Sequence, residues 1–150
     1  MMQAFFKSKF LFDFQANQVW IETIDKQNLT SDPAIRKLMC HILNVHHVWV
    51  SRLNGREAIS GDWDDLPYYA WQQLNEENYR QTNEFVEHQP VDKLIHYTTS
   101  EGVDSSMRAD DILYHILQHN IHHRAQINSL IRKVGATPAV FNFIEWKSSM

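Results

Sequence analysis

The chain has 150 residues, a formal net charge of −4, and hydrophobic and charged fractions of 43% and 21%. This length suits one domain with a buried core, and the composition is typical of a globular protein rather than a disordered one. The negative charge argues against a nucleic-acid-binding protein, and no apolar run reaches the roughly 18 residues of a transmembrane helix. We therefore expect one domain over residues 1–150, with no nucleic-acid or membrane partner.

Cys40 is the only cysteine, so the chain cannot form an internal disulfide or a multi-cysteine zinc or iron–sulfur site. The amino-terminal segment MMQAFFKSKFLFDF places its lysines inside the apolar stretch, whereas a signal peptide has its positive charge first. Both features favour a cytoplasmic protein. The nine histidines are unusual, because most of them fall in two short stretches.

The first predicted helix runs from about Gln3 to about Asp25, because large apolar residues recur there at helical spacing. The residues of this stripe are Phe6, Phe10, Phe14, Trp20, Ile21 and Ile24. Asn17 lies on the same stripe, where it is either a buried, hydrogen-bonded residue or part of a site.

The second predicted helix runs from Pro33 to about Leu53, since Ser31 or Asp32 can cap it and proline suits its first position. Its expected inward face consists of Ile35, Leu38, Ile42, Val45, Trp49 and Leu53. The connector GREAISGDWDDLP then leads to a third helix, from about Tyr68 to His88, whose expected inward residues are Trp71, Leu74, Phe85 and Val86.

Residues 91–108 alternate in polarity and contain Glu101-Gly102, which predicts a short hairpin or an extended crossover. A fourth helix is expected from about Ala109 to Lys133, ended by Gly135 and Pro138. The aromatic carboxy-terminal tail should pack back on the helices. The pattern as a whole predicts an all-α protein, a four-helix bundle.

The segment HILQHNIHHRAQI, residues 115–127, contains the first histidine group. On a helix, His123 lies within the apolar face and His119 at its edge, one turn apart, which is the spacing at which two imidazoles can bind one ion. His115 and His122 point further toward the flank. The spacing is consistent with a metal site and also with hydrogen-bonded core histidines.

The second helix contains the other group. His46 projects near the centre of its apolar face, His41 lies on the flank, and His47 points away. A site in the groove between helices would use His41, whereas a central site would use His46, and helical phase does not decide between them. Three neutral histidines from two helices would leave coordination positions open, as catalytic metal sites do, and would suit zinc, nickel, iron or copper.

The segments HILNVHHVWVSRL and DILYHILQHNIHHRAQI resemble the second-helix and fourth-helix motifs of the DinB-like family. LFDFQANQVW and ATPAVFNFIEW fit the same family. The resemblance implies an up-down-down-up four-helix bundle with a divalent metal held by three histidines. Carried over by motif, the ligands would be His41, His119 and His123, with His46 as the reserve ligand, and zinc or nickel the favoured metals.

The resemblance also implies a homodimer and a small-molecule substrate, with a low-molecular-weight thiol of the bacillithiol or mycothiol type as co-substrate. The leading hypothesis is a metal-dependent thiol transferase or hydrolase. Asn44 and Gln126 would form hydrogen bonds to the histidines that hold the metal. The alternatives are a non-catalytic metal- or ligand-binding module for the stress response and a metal-free bundle. Arg124 is interpreted as an exposed residue that forms a surface ion pair or binds an anionic thiol.

Overall fold

The computed structural model describes residues 1–150, and most of them are helical. In chain order the elements are α1 (Met2–Lys26), α2 (Pro33–Leu53), α3 (Trp71–His88), β1 (Leu94–Thr98), β2 (Asp104–Arg108), α4 (Ala109–Lys133) and α5 (Phe143–Ser148). The four long helices expected from the sequence are confirmed. The third begins with a 3-10 turn, Tyr68–Ala70, and the short α5 is an element that the sequence did not predict.

The ends of α2 and α4 follow from local chemistry. The Asp32 side chain accepts hydrogen bonds from the backbone amides of Ala34 and Ile35, and Pro33 occupies the first turn of α2, where its missing amide hydrogen costs nothing. Gly135 follows α4 with φ +81°, a left-handed conformation that suits glycine and ends the helix. The two helices that contain the histidine groups therefore begin and end where the sequence predicts.

The segment before α4 is a hairpin, so the alternative of an extended crossover is not what the chain adopts. β1 pairs antiparallel with β2, with Leu94 opposite Arg108 and Thr98 opposite Asp104. Gly102 takes φ +80° in the turn. Ile95 is the one buried residue of the two strands, and it anchors the hairpin to the apolar core.

Two apolar clusters form the core. One contains Trp20, Ile21, Ile24, Ile35, Met39, Cys40, Ile42, Leu43, Trp71, Ile127, Ile131 and Ala139. The other contains Phe6, Phe10, Leu53, Phe85, Val86, Ile95, Ala109, Ile112, Leu113, Ile116 and Leu117. Each of the helices α1, α2, α3 and α4 contributes residues to both clusters. None of the helices is long and apolar enough to cross a bilayer.

Helix α2 packs against both α3 and α4, and every one of its residues from Met39 to Val48 is buried. His47, expected to point away from the apolar face of α2, is nevertheless buried. Its Nε2 accepts a hydrogen bond from the backbone amide of Ile59, 3.0 Å away, because the connector between α2 and α3 covers this side of the helix. Helical phase alone could not reveal that cover.

Asn17 of α1 is a buried, hydrogen-bonded residue, which settles the alternative that the sequence left open. Its Nδ2 donates to Asn75 Oδ1 of α3 at 3.0 Å, and its Oδ1 accepts from Arg124 of α4 at 2.7 Å. The aromatic tail packs back as predicted. Phe141 stacks on Phe12 of α1 with centroids 4.9 Å apart.

Candidate metal centre

Three histidines converge between α2 and α4. His41 comes from α2, and His119 and His123 come from successive turns of α4. Each offers one ring nitrogen, and these three nitrogens lie within 4.8 Å of one another. The Nε2 atoms of His41 and His119 are 3.0 Å apart. The three side chains are thus positioned to hold one metal ion.

The His41 ring is oriented by the connector between α2 and α3. Its Nδ1 lies 2.8 Å from the backbone carbonyl oxygen of Asp62, which can only accept a hydrogen bond. Nδ1 therefore carries the proton, and Nε2 presents its lone pair toward the other two histidines. The indole of Trp63 lies flat on the same imidazole, with centroids 3.6 Å apart and an interplanar angle of 7°.

His123 is oriented from within α4. Its Nδ1 lies 2.7 Å from Gln126 Oε1, so this nitrogen donates and Nε2 is left with a free lone pair. His119 differs, because its Nδ1 is buried without a hydrogen-bond partner, and the Oδ1 of the adjacent Asn120 is also unpartnered.

The surroundings keep the imidazoles of His119 and His123 uncharged. Burial, helped by the neighbouring His123 and His41, lowers the pKa of His119 to about 3. Burial also lowers the pKa of His123, with the Gln126 side chain acting in the opposite direction. At neutral pH both imidazoles are therefore neutral, which is the form that binds a metal ion.

The donor set fits a divalent transition metal. The cluster consists of three imidazoles and includes neither a thiolate nor a carboxylate. Neutral nitrogen ligands suit zinc, nickel, copper and iron better than magnesium or calcium, which prefer oxygen. Three protein ligands also leave room for a further ligand from solution, as in catalytic zinc sites. The geometry is thus compatible with a metal centre of the open type.

The other histidines do not join this cluster. His46, the reserve ligand of the sequence analysis, lies deeper in the protein, where its Nε2 is 2.9 Å from the Oγ1 of Thr82 and its ring packs against Phe10. Burial lowers the pKa of His46 to about 4. His115 and His122 lie on the exposed side of α4.

Asn44 contacts the connector rather than a histidine ring. Its Nδ2 donates to the backbone carbonyl of Asp64 at 2.8 Å, and its Oδ1 accepts from the Ser60 hydroxyl at 2.8 Å. These two hydrogen bonds fasten the stretch that contains Asp62 and Trp63 to α2. Asn44 therefore acts on the cluster through the connector, whereas Gln126 touches His123 directly.

The chain is similar in sequence to known proteins over nearly its whole length. The family model described as the DinB family matches residues 6–149. The chain belongs to the DinB family. One relative is the uncharacterized protein YizA of Bacillus subtilis (strain 168), which is 25% identical over 134 residues, covering 85% of this chain and 82% of YizA. In this DinB-family chain, the match includes both helices that contribute the clustered histidines.

Arg124 does not have the exposed position that the sequence suggested for it. Its side chain is 5% exposed, and Nη1 donates to Asp13 Oδ1 and to Asn17 Oδ1, both at 2.7 Å. Asp13 Oδ2 also accepts from Asn120 Nδ2 at 2.9 Å. The expectation of a surface ion pair or a thiol-binding residue is wrong, because α1 covers this side of α4.

This buried network was missed by the sequence analysis, although a signal existed. Asp13 sits between Phe10 and Phe14 on α1, and a carboxylate beside an apolar stripe needs a buried partner. The network joins α1 to the turns of α4 that contain His119 and His123. It therefore holds the helix that supplies two of the three clustered imidazoles.

Cys40 lies one residue before His41, but its side chain points toward the backbone of Leu66. Its sulfur is buried and contacts the backbone of Leu66, at 3.4 Å from the amide nitrogen and 3.7 Å from the carbonyl oxygen. Burial raises the pKa of the Cys40 thiol above its ordinary value. The thiol is thus a packed side chain rather than a nucleophile.

Proposed function

We propose that this DinB-family protein is a metal-dependent enzyme in which His41, His119 and His123 hold one divalent transition metal. Zinc and nickel are the favoured metals. The convergence of three ring nitrogens within 4.8 Å carries this proposal. Two of the rings, His41 and His123, are already in the tautomer that offers Nε2 to a metal. Gln126 and the Asp62 carbonyl act as the groups that fix those tautomers.

The proposed reaction is the activation of a thiol or of water toward an electrophilic small molecule. A divalent metal at this position supplies Lewis acidity, which lowers the pKa of a bound thiol or water toward neutrality. The chain contributes three imidazoles, and hydrogen bonds to Asp62 and Gln126 fix the orientation of two of them, His41 and His123. A low-molecular-weight thiol is the proposed co-substrate, with transfer of the thiol or hydrolysis as the outcome.

The experiment is a turnover screen of the zinc-loaded and the nickel-loaded protein against a panel of thiols and electrophiles. Wild type is compared with His123→Ala and with His88→Ala, which removes an exposed imidazole at the end of α3. The proposal expects metal-dependent turnover that His123→Ala abolishes and His88→Ala retains. Turnover that His123→Ala leaves unchanged would contradict it.

A non-catalytic metal- or ligand-binding module is the second candidate, because no aspartate, glutamate or cysteine belongs to the cluster to act as a general acid or base. The same screen separates the two. Stoichiometric metal binding that depends on His123, combined with no turnover across the whole panel, would favour a stress-response module over an enzyme.

We also propose the wider assignments that the sequence predicts, of which the homodimer rests on the family resemblance. They are one domain over residues 1–150, a four-helix bundle formed by α1, α2, α3 and α4, a cytoplasmic location and a homodimer. Exposed aromatic residues such as Tyr69, which is 78% exposed, are available for a subunit contact. Sedimentation equilibrium of wild type tests the dimer, and a monomer at micromolar concentration would contradict it.

A further inference from the structure

A large cleft adjoins the histidine cluster. It has a volume of about 900 Å³ and lies between the second half of α2, the connector and β1. Its lining includes Val48 and Arg52 of α2, Asp62 and Trp63 of the connector, and Tyr97 of β1.

The same two connector residues border the cleft and the histidine cluster. Asp62 and Trp63 line the cleft, and they are also the residues that hold His41, one through its backbone carbonyl and the other through its indole. Seven and eleven residues separate His41 from Val48 and Arg52, so all three share one face of α2. Eleven residues of helix correspond to a rise of about 16 Å, which sets the distance from His41 to Arg52 along α2.

Arg52 is a cation without an anionic partner. Its guanidinium carbon lies 4.5 Å from the ring centre of Trp49 and 4.9 Å from that of Tyr97. None of the six ion pairs of the protein includes it. The two aromatic rings hold the guanidinium in place at the cleft, and its hydrogen-bond donors are left for a ligand.

The other charged residues that line the cleft do not form ion pairs with Arg52. Arg56 also lines the cleft, and its Nη2 donates to the neutral side chain of Gln81 at 2.9 Å. Glu57 and Asp62 are the carboxylates of the lining, and neither forms an ion pair with Arg52 or Arg56. Arg52 thus lines the cleft without a carboxylate bound to its guanidinium.

We propose that Arg52 binds the carboxylate or phosphate of an elongated small molecule whose other end reaches the histidine cluster. The second half of this statement rests on the proposed function, since it places the reacting end of the molecule at the metal centre. A planar guanidinium held between aromatic rings suits bidentate binding of either oxyanion. The ligand is accordingly an extended anionic thiol or substrate rather than a small neutral one.

The first experiment uses metal-free full-length protein, so that it reports on Arg52 independently of the metal. The side-chain Nε–H resonance of Arg52 and the indole resonance of Trp63 are followed by NMR during titration with two probes. Glutathione offers carboxylates, and 4′-phosphopantetheine offers a phosphate. We expect saturable shifts of both resonances with at least one probe, and the probe that binds identifies the oxyanion.

Two variants provide the controls, with the Trp63 indole as the common reporter. Arg52→Gln should weaken binding about tenfold or more, because it removes a charge-assisted hydrogen-bond pair. Arg132→Gln removes the same charge from an exposed position near the end of α4 and should bind like wild type. Absence of saturable shifts with both probes, or equal binding by Arg52→Gln and wild type, would overturn the proposal.

The reach to the histidine cluster is tested by repeating the titration with zinc-loaded protein and with S-methylated probes. Zinc should tighten binding of the free-thiol probe and leave its S-methylated form unchanged. If zinc binds but tightens neither form, the proposed elongated ligand is wrong. If zinc does not bind at all while Arg52 still binds the oxyanion, the proposed metal enzyme is wrong and the anion site at Arg52 stands.

Discussion

The indole of Trp63 covers the imidazole of His41 in a parallel stack with 3.6 Å between ring centres. Trp63 belongs to a connector without regular secondary structure and is itself 56% exposed. The stack therefore does not serve to bury the tryptophan. It fixes the plane of an imidazole whose Nε2 faces the other two histidines, so a residue outside the helices shapes the candidate centre.

Removal of this stack should weaken metal binding. Trp63→Ala frees the His41 ring, and the loss of an aromatic pair corresponds to a decrease in zinc affinity of about threefold to tenfold. Tyr69→Ala, which removes a more exposed aromatic side chain from the same region, should leave the affinity unchanged. Competition titration with a chromophoric chelator measures both, and equal affinities for Trp63→Ala and wild type would contradict this role.

Gln126 should matter for the metal through His123. Gln126→Ala removes the acceptor that fixes the Nδ1 proton of His123, and such losses reduce metal affinity by about tenfold to a hundredfold. Gln126→Glu keeps an acceptor oxygen and should retain most of the affinity. Gln118→Ala is the matched control, because Gln118 bonds only to the exposed Tyr114 hydroxyl. The same chelator competition reports all three, and an undiminished affinity in Gln126→Ala would refute the role.

The buried pair of Asp13 and Arg124 should dominate the stability of the α1–α4 contact. Arg124→Met leaves the Asp13 carboxylate buried without its cation, a change that costs about 3–5 kcal/mol of unfolding free energy. The double variant Asp13→Leu/Arg124→Met should recover part of that loss, since no charge is left buried. Urea denaturation followed by circular dichroism gives the values.

An exposed pair provides the comparison for this measurement. Arg80→Ala removes the partner of Glu77 and Glu84 on the surface of α3, where water screens the ion pairs and their contribution to stability is small. If Arg124→Met costs no more than Arg80→Ala, the buried network does not hold α4 in the way described here.

His46 should make the protein less stable as the pH falls. Burial, opposed by Asp13, lowers the pKa of His46 to about 4 from an ordinary value of 6.5. Between these two values the unfolded chain binds the proton and the folded protein does not, so stability is full above pH 6.5 and is lost as the pH falls toward about 4. One such group contributes a slope of about 1.4 kcal/mol per pH unit.

The measurement is the unfolding free energy of wild type and His46→Gln from pH 7.5 to 4.5 on metal-free protein. The variant should be less stable at pH 7.5, because Thr82 loses its imidazole partner, and its stability should fall less steeply below pH 6.5. Parallel pH profiles for the two proteins would show that His46 is not the group that titrates.

Much of the fold could be predicted from the sequence because its signals are local. Asp32 and Pro33 start α2, and Gly135 ends α4, without help from distant residues. The pairing of His119 with His123 is also local, since one helical turn separates them. These features depend on spacing within a helix, which the sequence displays directly.

The third histidine could not be chosen from helical phase. His41 and His46 are both buried on α2, with 6% and 4% exposure, because α3, α4 and the connector surround that helix. Their difference lies in tertiary partners, Asp62 and Trp63 for His41 and Thr82 for His46. The family motif pointed to His41, and the geometry now places His41 in the cluster.

Arg124 illustrates the same limit for charged residues. An arginine directly after a histidine cluster invites a role in ligand binding or an exposed position. Its actual partner, Asp13, is 111 residues away in the sequence, and only the packing of α1 against α4 brings the two together. The role of such a pair follows from tertiary structure, which no periodic pattern encodes.

The most direct test of the account is a zinc titration of metal-free protein combined with X-ray absorption spectroscopy at the zinc edge. We predict one equivalent of tightly bound zinc, with three imidazole nitrogens at about 2.0–2.1 Å, and loss of that site in the variant His41→Ala/His119→Ala/His123→Ala. Zinc binding that is substoichiometric in wild type, or that is equally tight in the triple variant, would contradict the central claim.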